Sequence, residues 1–513
     1  MKLTILSEFG QQILDAQPEQ TLFQALRPNY ATHISAPCGG QGTCQKCTVY
    51  LQNESGEEAV LACRTLAKDG MIIRLPAHEA LEVTTSESPV FARSLPDPDL
   101  QGFGIACDIG TTTVVCHLMD LSSGTCLGTS GEGNAQRIYG GDVISRIKAA
   151  SDGHLEQLRT TIIDQLSRMI RSLCSNAGIS PNQICRMTIA ANTTMCHLLT
   201  GLSPESIGVA PFIPLSLFGD CADAASLGLP FSGEVYIAPA ISGYVGGDIT
   251  AGMLAADLDT AINPVLFIDV GTNGEMALGC GDHFVCCSTA AGPAFEGAQI
   301  RYGMTAAPGA IHSVSYAAGQ LTCSVLGDGP ATGLCGSGLI DAMAVMLDLG
   351  AMDETGRMLD IDDDDIPDNL IPHMTLLDDE PAFLLCDGIA VTQSDVRKVQ
   401  LGKGAIAAGI QVLLESSETT YEQISALLLA GGFGSYISPA SAARIGLIPS
   451  ELLPVTRAIG NTAAQGAQEV LLSSAGRSRL TALQKATEYK ELSGMAAFNQ
   501  AYMEAMMFPG EDD

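Results

Sequence analysis

The 513-residue chain contains no tryptophan, few aromatic residues and few bases. Aromatic residues make up 5% of it, whereas 55 glycines accompany a hydrophobic content of 46%; this balance favours an α/β core with tight turns over a β-sandwich. The 25 Lys and Arg are outnumbered by 57 Asp and Glu, which gives a net charge of −32. Because such a field repels nucleic acid and anionic membrane, we expect neither as a partner.

Long apolar runs are also lacking. No run reaches the roughly 18 residues that a membrane span needs, and the chain does not open on the basic-then-apolar pattern of an export signal. We therefore expect a soluble, cytoplasmic protein, whose 17 cysteines are mostly reduced thiols rather than a disulfide framework.

The composition divides the chain into five segments. Residues 1–80 predict a compact β-rich domain, and residues 81–102, which end in alternating Pro and Asp, predict a flexible linker. From residue 103 the pattern is α/β, with one lobe over 103–264 and a second over 265–475. Residues 476–513 predict a C-terminal helical segment with an acidic tail. Strand and glycine-turn units recur three times at wide intervals, which indicates an internally duplicated nucleotide-binding fold rather than a solenoid.

Four cysteines in the first segment have the spacing C-x5-C-x2-C-x15-C. They are Cys38, Cys44, Cys47 and Cys63. A set of four soft thiolates suits an iron–sulfur cluster or zinc, and the glycines between the first two let the backbone wrap closely around a cluster. A zinc ribbon favours two C-x2-C pairs, and only one is present, so a 2Fe–2S cluster is the preferred interpretation and zinc the alternative. The other cysteines are expected to be small buried hydrophobes.

This cysteine loop resembles that of plant-type and adrenodoxin-type ferredoxins, in which three cysteines share one loop and the fourth follows later. The resemblance implies an α+β, ferredoxin-like β-grasp domain that carries a 2Fe–2S cluster. The interval before Cys63 is shorter than in photosynthetic ferredoxins.

Two Gly-Thr turns follow apolar strands in the later part of the chain. The glycine permits a sharp turn, and threonine hydroxyls and backbone N–H groups can then surround phosphate oxygens. The first turn comprises Gly110, Thr111, Thr112 and Thr113, and the second comprises Gly271, Thr272, Asn273 and Gly274. Asp108 and Asp269 precede them in matching positions, where a carboxylate can hold Mg²⁺ through water. A third strand leads to a glycine turn with Gly431, Gly432 and Gly434.

These three turns together resemble the superfamily of acetate and sugar kinases, heat-shock chaperones and actin, the ASKHA type. The resemblance implies a two-lobed α/β ATPase domain, in which the two hairpins hold the ATP phosphates and the third turn faces the adenosine. The helix over residues 393–409 is similar to the one that covers the base. Gln400 and Lys403 are then candidate contacts, and an exposed polar helix face is the alternative. No acid–base residue for a small acceptor stands out, so slow ATP hydrolysis with lobe closure is favoured over metabolite phosphorylation.

The whole chain closely resembles the reductive activators of corrinoid proteins. The supporting stretches span nearly its full length beyond the cysteine loop: Cys107–Thr113, Asn134–Ile147, Ala191–Leu198, Val270–Glu275, Ala291–Gly297, Leu334–Asp341 and Ala430–Ile437. The resemblance implies transfer of one electron from the cluster to a Co(II) corrinoid protein, restoring Co(I) for methyl transfer. An electron-donating reductase or ferredoxin is then a second partner. Plant-type clusters lie near about −400 mV, and each ~59 mV of uphill gap corresponds to ~1.4 kcal/mol, which nucleotide binding or hydrolysis can offset.

Two further expectations follow from that family. Its ATPase lobes dock over the corrinoid, so a hydroxyl of Ser288 or Thr289 is a candidate to approach cobalt. The alternative is a helix N-cap before the PAFEGAQI segment. Some members carry an additional middle domain, associated with dimerisation. Here the linker reaches Asp108 almost directly, so we expect that domain to be absent and treat a homodimer as an open candidate.

Other functions remain alternatives at this point. One is ATP-dependent electron donation to a different low-potential enzyme, and another is a redox-gated ATP-binding sensor. A plain small-molecule kinase is supported by the lobes but not by the cysteine loop. His33, His117 and His197 have no ligand company and are expected to fill ordinary core or surface roles.

Overall fold

The computed structural model describes residues 1–7, 10–27, 30, 34, 40, 42, 47–53, 56–76, 96–361, 366–386, 388–431 and 437–510. Contacts between residues divide the chain into two units. The first comprises Met1–Leu81, Gly102–Asp120 and Thr125–Ile237. The second comprises Glu82–Gln101, Leu121–Gly124 and Ala238–Asp513. Most of the predicted linker, residues 81–95, lies outside the described residues. No helix in the described part of the chain is long and apolar enough to cross a membrane.

A small mixed sheet opens the first unit and confirms the predicted β-rich domain. Its strand order is β2-β1-β5-β3-β4, with the two terminal segments of the domain paired in parallel as β1 and β5. The strands are β1 (Lys2–Ser7), β2 (Gly10–Asp15), β3 (Thr48–Asn53), β4 (Gly56–Leu61) and β5 (Ile72–Arg74). Leu3 and Ile5 are buried on one face of β1 because strand side chains alternate, and they pack against helix α1 (Leu22–Leu26) in one core. Thr21 caps that helix together with Gln24.

A six-stranded sheet forms the rest of the first unit, in the order β10-β11-β9-β6-β7-β8. Its strands are β6 (Phe103–Ile109), β7 (Thr113–Asp120), β8 (Cys126–Gly133), β9 (Ile184–Ala191), β10 (Cys221–Asp223) and β11 (Glu234–Ile237). Strands β6, β7 and β8 form an antiparallel meander, and β9 runs parallel to both β6 and β11. The helices are α2 (Val143–Ala149), α3 (Leu155–Asn176), α4 (Thr193–Thr200) and α5 (Ala224–Leu227). Apolar side chains of α3 and α4 pack on this sheet in a shared core.

The second unit repeats the same plan. Its main sheet has the order β22-β21-β12-β13-β14-β23, again a three-stranded meander followed by parallel strands on one side. The strands are β12 (Val265–Val270), β13 (Gly274–Cys280), β14 (His283–Thr289), β21 (Ala426–Ala430), β22 (Thr456–Gly460) and β23 (Thr487–Tyr489). The predicted internal duplication is therefore confirmed at the level of strand order.

Two three-stranded sheets and several helices complete the second unit. The strands are β15 (Ala310–Ala317), β16 (Gln320–Val325), β17 (Gly333–Leu334), β18 (Met374–Leu377), β19 (Glu380–Cys386) and β20 (Ile389–Thr392). The helices are α6 (Gly247–Ala255), α7 (Gly336–Asp348), α8 (Gln393–Ser416), α9 (Pro439–Arg444), α10 (Thr462–Leu472), α11 (Ser474–Ala486) and α12 (Ala496–Ala505). Helix α8 begins where predicted, after the Thr392 cap, and runs two turns beyond Gly409. The boundary between units falls at Ile237, so a lobe boundary at 264 stays a prediction.

Candidate functional site

The cysteine loop brings two of the four predicted ligands together. Cys47 precedes β3 and Cys63 follows β4. A hydrogen bond from the Ala62 N–H to the Cys47 carbonyl (2.8 Å) holds the start of β3 beside the end of β4. The two cysteine sulfur atoms are 3.2 Å apart, too far for a disulfide of about 2.05 Å and somewhat closer than the roughly 3.8 Å between two thiolates on one tetrahedral metal. Both cysteines are buried. Cys38, Cys44 and His33 lie outside the described residues.

Two glycines of the same loop have conformations that other residues rarely adopt. Gly40 has φ +87° and Gly42 has φ +78°. A Cβ atom at Gly40 would lie 2.7 Å from the Phe23 ring, and one at Gly42 would lie 2.1 Å from the Arg64 side chain. The positive φ angles favour glycine at both positions, and turns of this kind let a backbone approach a cluster closely. Cys47 and Cys63 fit two of the four thiolates that would hold a 2Fe–2S cluster.

The first Gly-Thr turn links β6 to β7, and its carbonyl oxygens are held by one buried frame. Asn134 donates through its side chain to the Gly110 carbonyl (2.8 Å) and through its backbone to the Thr112 carbonyl (2.8 Å). Arg146 donates to the Thr111 carbonyl at 2.6 Å. These three hydrogen bonds fix the backbone conformation of the turn. A fixed glycine turn of this kind suits an anion such as phosphate.

Arg146 is the charged member of this frame and is fully buried. Besides Thr111, its guanidinium donates to the Gly140 carbonyl at 2.9 Å and contacts the Met195 sulfur at 3.1 Å. Asn192, the cap of α4, donates to the Thr111 hydroxyl at 3.0 Å. A buried cation beside the turn adds to the attraction of the turn for an anion.

Sequence reasoning gave no role to Asn134, Arg146 or Asn192. Each asparagine precedes a helix and so reads as an ordinary cap. Arg146 lies on a short helix, where an arginine is usually solvated. In this site only the turns could be recognised from the sequence, because their glycines and threonines are contiguous.

The second Gly-Thr turn links β12 to β13 and is surrounded by carboxylates instead. The Thr272 hydroxyl donates to Glu296 (2.8 Å), and the Asn273 amide donates to Glu275 (3.1 Å). Asp269 is the penultimate residue of β12, as Asp108 is of β6, but it lies opposite Glu275 where Asp108 lies opposite Val115. The two turns therefore connect equivalent strands of their sheets, but the side chains around them differ in charge.

Glu275 is buried among other acids. Burial raises its pKa well above the usual range, and the charges of Asp248 and Asp269 raise it further. Asp108 and Asp269 are both half-buried. Oxygen ligands of this kind are those that Mg²⁺ uses, through bound water as a rule.

The third turn packs against the second. Gly431 has φ +113°, and a Cβ atom there would lie 2.5 Å from the Val270 carbonyl and 3.0 Å from an Asp269 carboxylate oxygen. Its N–H donates to the Gly460 carbonyl at 3.1 Å. Only glycine permits this approach. Gly432 and Gly434 lie outside the described residues.

Gln400 and Lys403 do not form an exposed polar face, which corrects the alternative raised from the sequence. Gln400 is 6% exposed and Lys403 is 1% exposed. The Gln400 amide donates to the carbonyls of Thr355 (3.0 Å) and Met506 (2.9 Å), and the Lys403 ammonium donates to that of Met507. The C-terminal segment covers this face of α8 and supplies acceptors to both side chains, and a contact of either side chain with the adenosine stays a prediction.

Ser288 and Thr289 end strand β14 and do not cap a helix. The PAFEGAQI segment forms a single 3₁₀ turn, Pro293–Glu296, that begins after Gly292, so the N-cap alternative is wrong. The Thr289 hydroxyl donates to the Gly274 carbonyl (3.2 Å), and Ser288 pairs with Glu275 across the sheet. An approach of either hydroxyl to cobalt stays a prediction.

The histidines behave as expected where they are described. The His197 ring lies 2.7 Å from the Thr193 carbonyl and accepts from the Leu215 N–H (3.2 Å), so it is a satisfied core residue. Burial lowers the pKa of His117 to about 4. None of the described cysteines forms a disulfide.

Comparison with known proteins defines the class. A model of the 2Fe–2S iron–sulfur cluster binding domain matches residues 6–68, and one of the C-terminal ASKHA domain of RACo matches residues 263–513. The chain is therefore a 2Fe–2S ferredoxin domain joined to an ATPase domain of the ASKHA type.

Relatives then define the family. The chain is 32% identical to the corrinoid activation enzyme RamQ of Eubacterium limosum, over 93% of this chain and 94% of the relative. It is 26% identical to the [Co(II) methylated amine-specific corrinoid protein] reductase of Methanosarcina barkeri, over 72% and 70% respectively. The solved structure of a reductive activator for corrinoid, iron–sulfur protein is also similar, with 29% identity and a TM-score of 0.75. The match covers 99% of this chain and 98% of the chain in that structure. The chain belongs to the family of reductive activators of corrinoid proteins.

One expectation about the family is wrong. A model of the RACo middle region matches residues 103–261, so this region is present rather than absent. The sequence interpretation assigned nearly the same residues, 103–264, to the first ATPase lobe, and that lobe assignment stays a prediction.

Proposed function

We propose that this protein is an ATP-dependent reductive activator that passes one electron to a Co(II) corrinoid protein and so restores Co(I) for methyl transfer. The relationship to RamQ over nearly the whole chain carries this proposal. The 2Fe–2S cluster, when bound, supplies the one-electron store. Cys38, Cys44, Cys47 and Cys63 would hold it, and the burial of Cys47 and Cys63 would keep water from its sulfur ligands.

Each Gly-Thr turn offers its own chemistry to the nucleotide. The first, held by Asn134 and the buried Arg146, suits the anionic phosphates. The second lies beside Asp269 and Glu296, which would supply carboxylates for Mg²⁺. Gly431 would bring the third turn, with Gly432 and Gly434, towards the adenosine.

The partners of this proposal are a corrinoid protein of a methyltransferase system and an electron-donating reductase or ferredoxin. A homodimer is part of the proposal to be tested, since the middle region is present. A cytoplasmic location is proposed as well, because free thiols persist in a reducing compartment.

The experiment uses the cluster-loaded chain, a chemical reductant and the corrinoid protein of a methylated-amine system. With MgATP, the absorption spectrum of Co(II) should convert to that of Co(I), and without nucleotide the conversion should be slow. Iron analysis should give about two irons per chain. Equal reduction rates with and without ATP would refute ATP dependence, and no reduction of any corrinoid protein would favour a different low-potential target.

A further inference from the structure

Within the first unit, Arg27 of the ferredoxin domain contacts the middle region. Arg27 follows helix α1 directly, and its guanidinium carbon lies 3.9 Å from the ring centroid of Tyr139. Tyr139 is 8% exposed and belongs to the core of the six-stranded sheet. A guanidinium over an aromatic face is attracted by the ring, and the attraction strengthens as water is excluded. This contact therefore joins the cluster domain to a residue of the core that packs on the six-stranded sheet.

His154 lies beside the same contact. Its ring centroid is 5.8 Å from that of Tyr139. Burial and then the charge of Arg27 lower the pKa of His154, with Asp152 opposing them. The imidazole is therefore neutral near pH 7 and does not repel the guanidinium.

The residue after Tyr139 connects this contact to the phosphate turn. We call residues 134–146 the bridge segment. At its centre, the Gly140 carbonyl accepts from Arg146 (2.9 Å), and the same guanidinium donates to the Thr111 carbonyl (2.6 Å). At its start, Asn134 donates to Gly110. Tyr139, whose ring Arg27 covers, is thus the chain neighbour of Gly140, which binds Arg146. Arg146 in turn holds the first Gly-Thr turn.

The bridge segment has little room to yield. A Cβ atom at Gly140 would lie 2.2 Å from the Ser145 hydroxyl, and Asp142 and Ser145 form a reciprocal cap at the start of α2. Close-packed, hydrogen-bonded segments shift as units instead of deforming gradually. A displacement of Tyr139 is therefore expected to shift the backbone at Thr111.

We propose that the ferredoxin domain docks on the bridge segment through Arg27 and Tyr139, and that this docking and phosphate binding at the first Gly-Thr turn strengthen each other. The inference rests on the proposed nucleotide site. A bound polyanion draws Arg146 towards the turn and fixes Gly140, which fixes the ring that Arg27 covers. By linkage, docking must raise nucleotide affinity by the same factor.

The test measures ATP affinity of the cluster-loaded chain by calorimetry. Arg27→Ala and Tyr139→Leu should each weaken ATP binding about three- to tenfold, within the range of a cation–π contact. The double variant should bind ATP no more weakly than whichever single variant binds it more weakly, because both substitutions remove the same contact. Arg27→Lys, which keeps a cation, should lose less than Arg27→Ala. Arg74 offers a matched control, since it covers the Tyr50 ring at 4.1 Å inside the ferredoxin domain; Arg74→Ala should leave ATP affinity unchanged.

The reciprocal readout is the radius of gyration from small-angle scattering. ATP should make the wild-type chain more compact and should not do so for Arg27→Ala. If Arg27→Ala binds ATP as tightly as the wild type, or more tightly, the inference is overturned while the proposed function stands. If the wild-type chain binds no ATP, the proposed function and the inference both fail. Arg27→Ala keeps the Tyr139 core intact, so the result does not depend on Tyr139→Leu folding.

Discussion

The buried guanidinium of Arg146 donates to the carbonyl oxygen of Thr111 across 2.6 Å, behind the turn proposed to receive phosphate. The same side chain reaches Gly140, so one residue fixes two backbone segments. A fork of donors is needed for this, and a lysine ammonium cannot reproduce its geometry.

Arg146→Lys is therefore expected to weaken ATP binding about tenfold or more, because a carbonyl of the frame is left without its donor at a penalty of ~1–3 kcal/mol. ATP affinity by calorimetry and iron content per chain are the measurements. Iron content should be unchanged, which separates the effect from general misfolding. Arg168→Lys is the control, since Arg168 is half-exposed and pairs with Glu132. Normal ATP affinity in Arg146→Lys would show that the frame does not position the turn.

Cys47→Ser should remove the cluster and spare the nucleotide site. Cys47 is buried and 3.2 Å from Cys63, and a hydroxyl is a poor replacement for a thiolate ligand. Iron per chain should fall from about two to near zero, with loss of visible absorbance, while ATP affinity changes less than about twofold. Cys185→Ser, at an exposed cysteine, should behave as the wild type. Full iron content in Cys47→Ser would contradict the ligand assignment.

Glu275→Gln should stabilise the nucleotide-free protein at neutral pH. Burial, Asp248 and Asp269 raise the pKa of Glu275, so the folded chain keeps a proton that the unfolded chain has released above about pH 4.3. Stability therefore falls as pH rises from that value towards the raised pKa, and glutamine has no proton to lose. Melting temperatures at pH 4.5 and 7.5 should show a gain for the variant only at the higher pH. Glu504→Gln, an exposed change on α12, should show none; a gain that is equal at both pH values would point to another cause.

Lys403 predicts a pH dependence of the opposite sign. Burial lowers the pKa of Lys403 to about 7, against about 10.4 for an unfolded lysine. Between these values the unfolded chain holds a proton that the folded chain has lost, so stability rises with pH. From pH 7 to 9 the wild type should gain about 2 kcal/mol in unfolding free energy relative to Lys403→Met. Denaturant titrations of both proteins check this, with the exposed Lys485→Met as control. Parallel curves for wild type and Lys403→Met would rule out a titrating Lys403.

The Gly-Thr turns could be predicted because everything that makes them is local. Asp108 and Gly110 are two residues apart, as are Asp269 and Gly271, and the apolar strands before them are continuous runs. The strand order of the two units then repeats as the repeated pattern requires. Local patterns of this kind survive tertiary packing.

The expectations that the structure overturns concern residues whose partners lie far away in the sequence. Gln400 and Lys403 lie on a helix whose polar spacing suggests exposure, but Met506 and Met507 supply their acceptors from far along the sequence. Ser288 and Thr289 precede a Pro-containing segment that looks helical, yet their pairing with β13 extends the strand to Thr289. Arg146 reads as a surface residue until Thr111 and Gly140 are brought to it. Such partners cannot be read from a sequence window.

Strand β23 has a consequence for how the protein is made. It pairs in parallel with β14, so the edge of the second main sheet is closed by Thr487–Tyr489. At about 5–20 residues per second, the ribosome delivers this strand on the order of ten seconds or more after β14. During that time the β14 edge is unpaired and can join a neighbouring chain. Nascent chains that stall before residue 487 are therefore expected to leave this strand edge open to pairing with another chain.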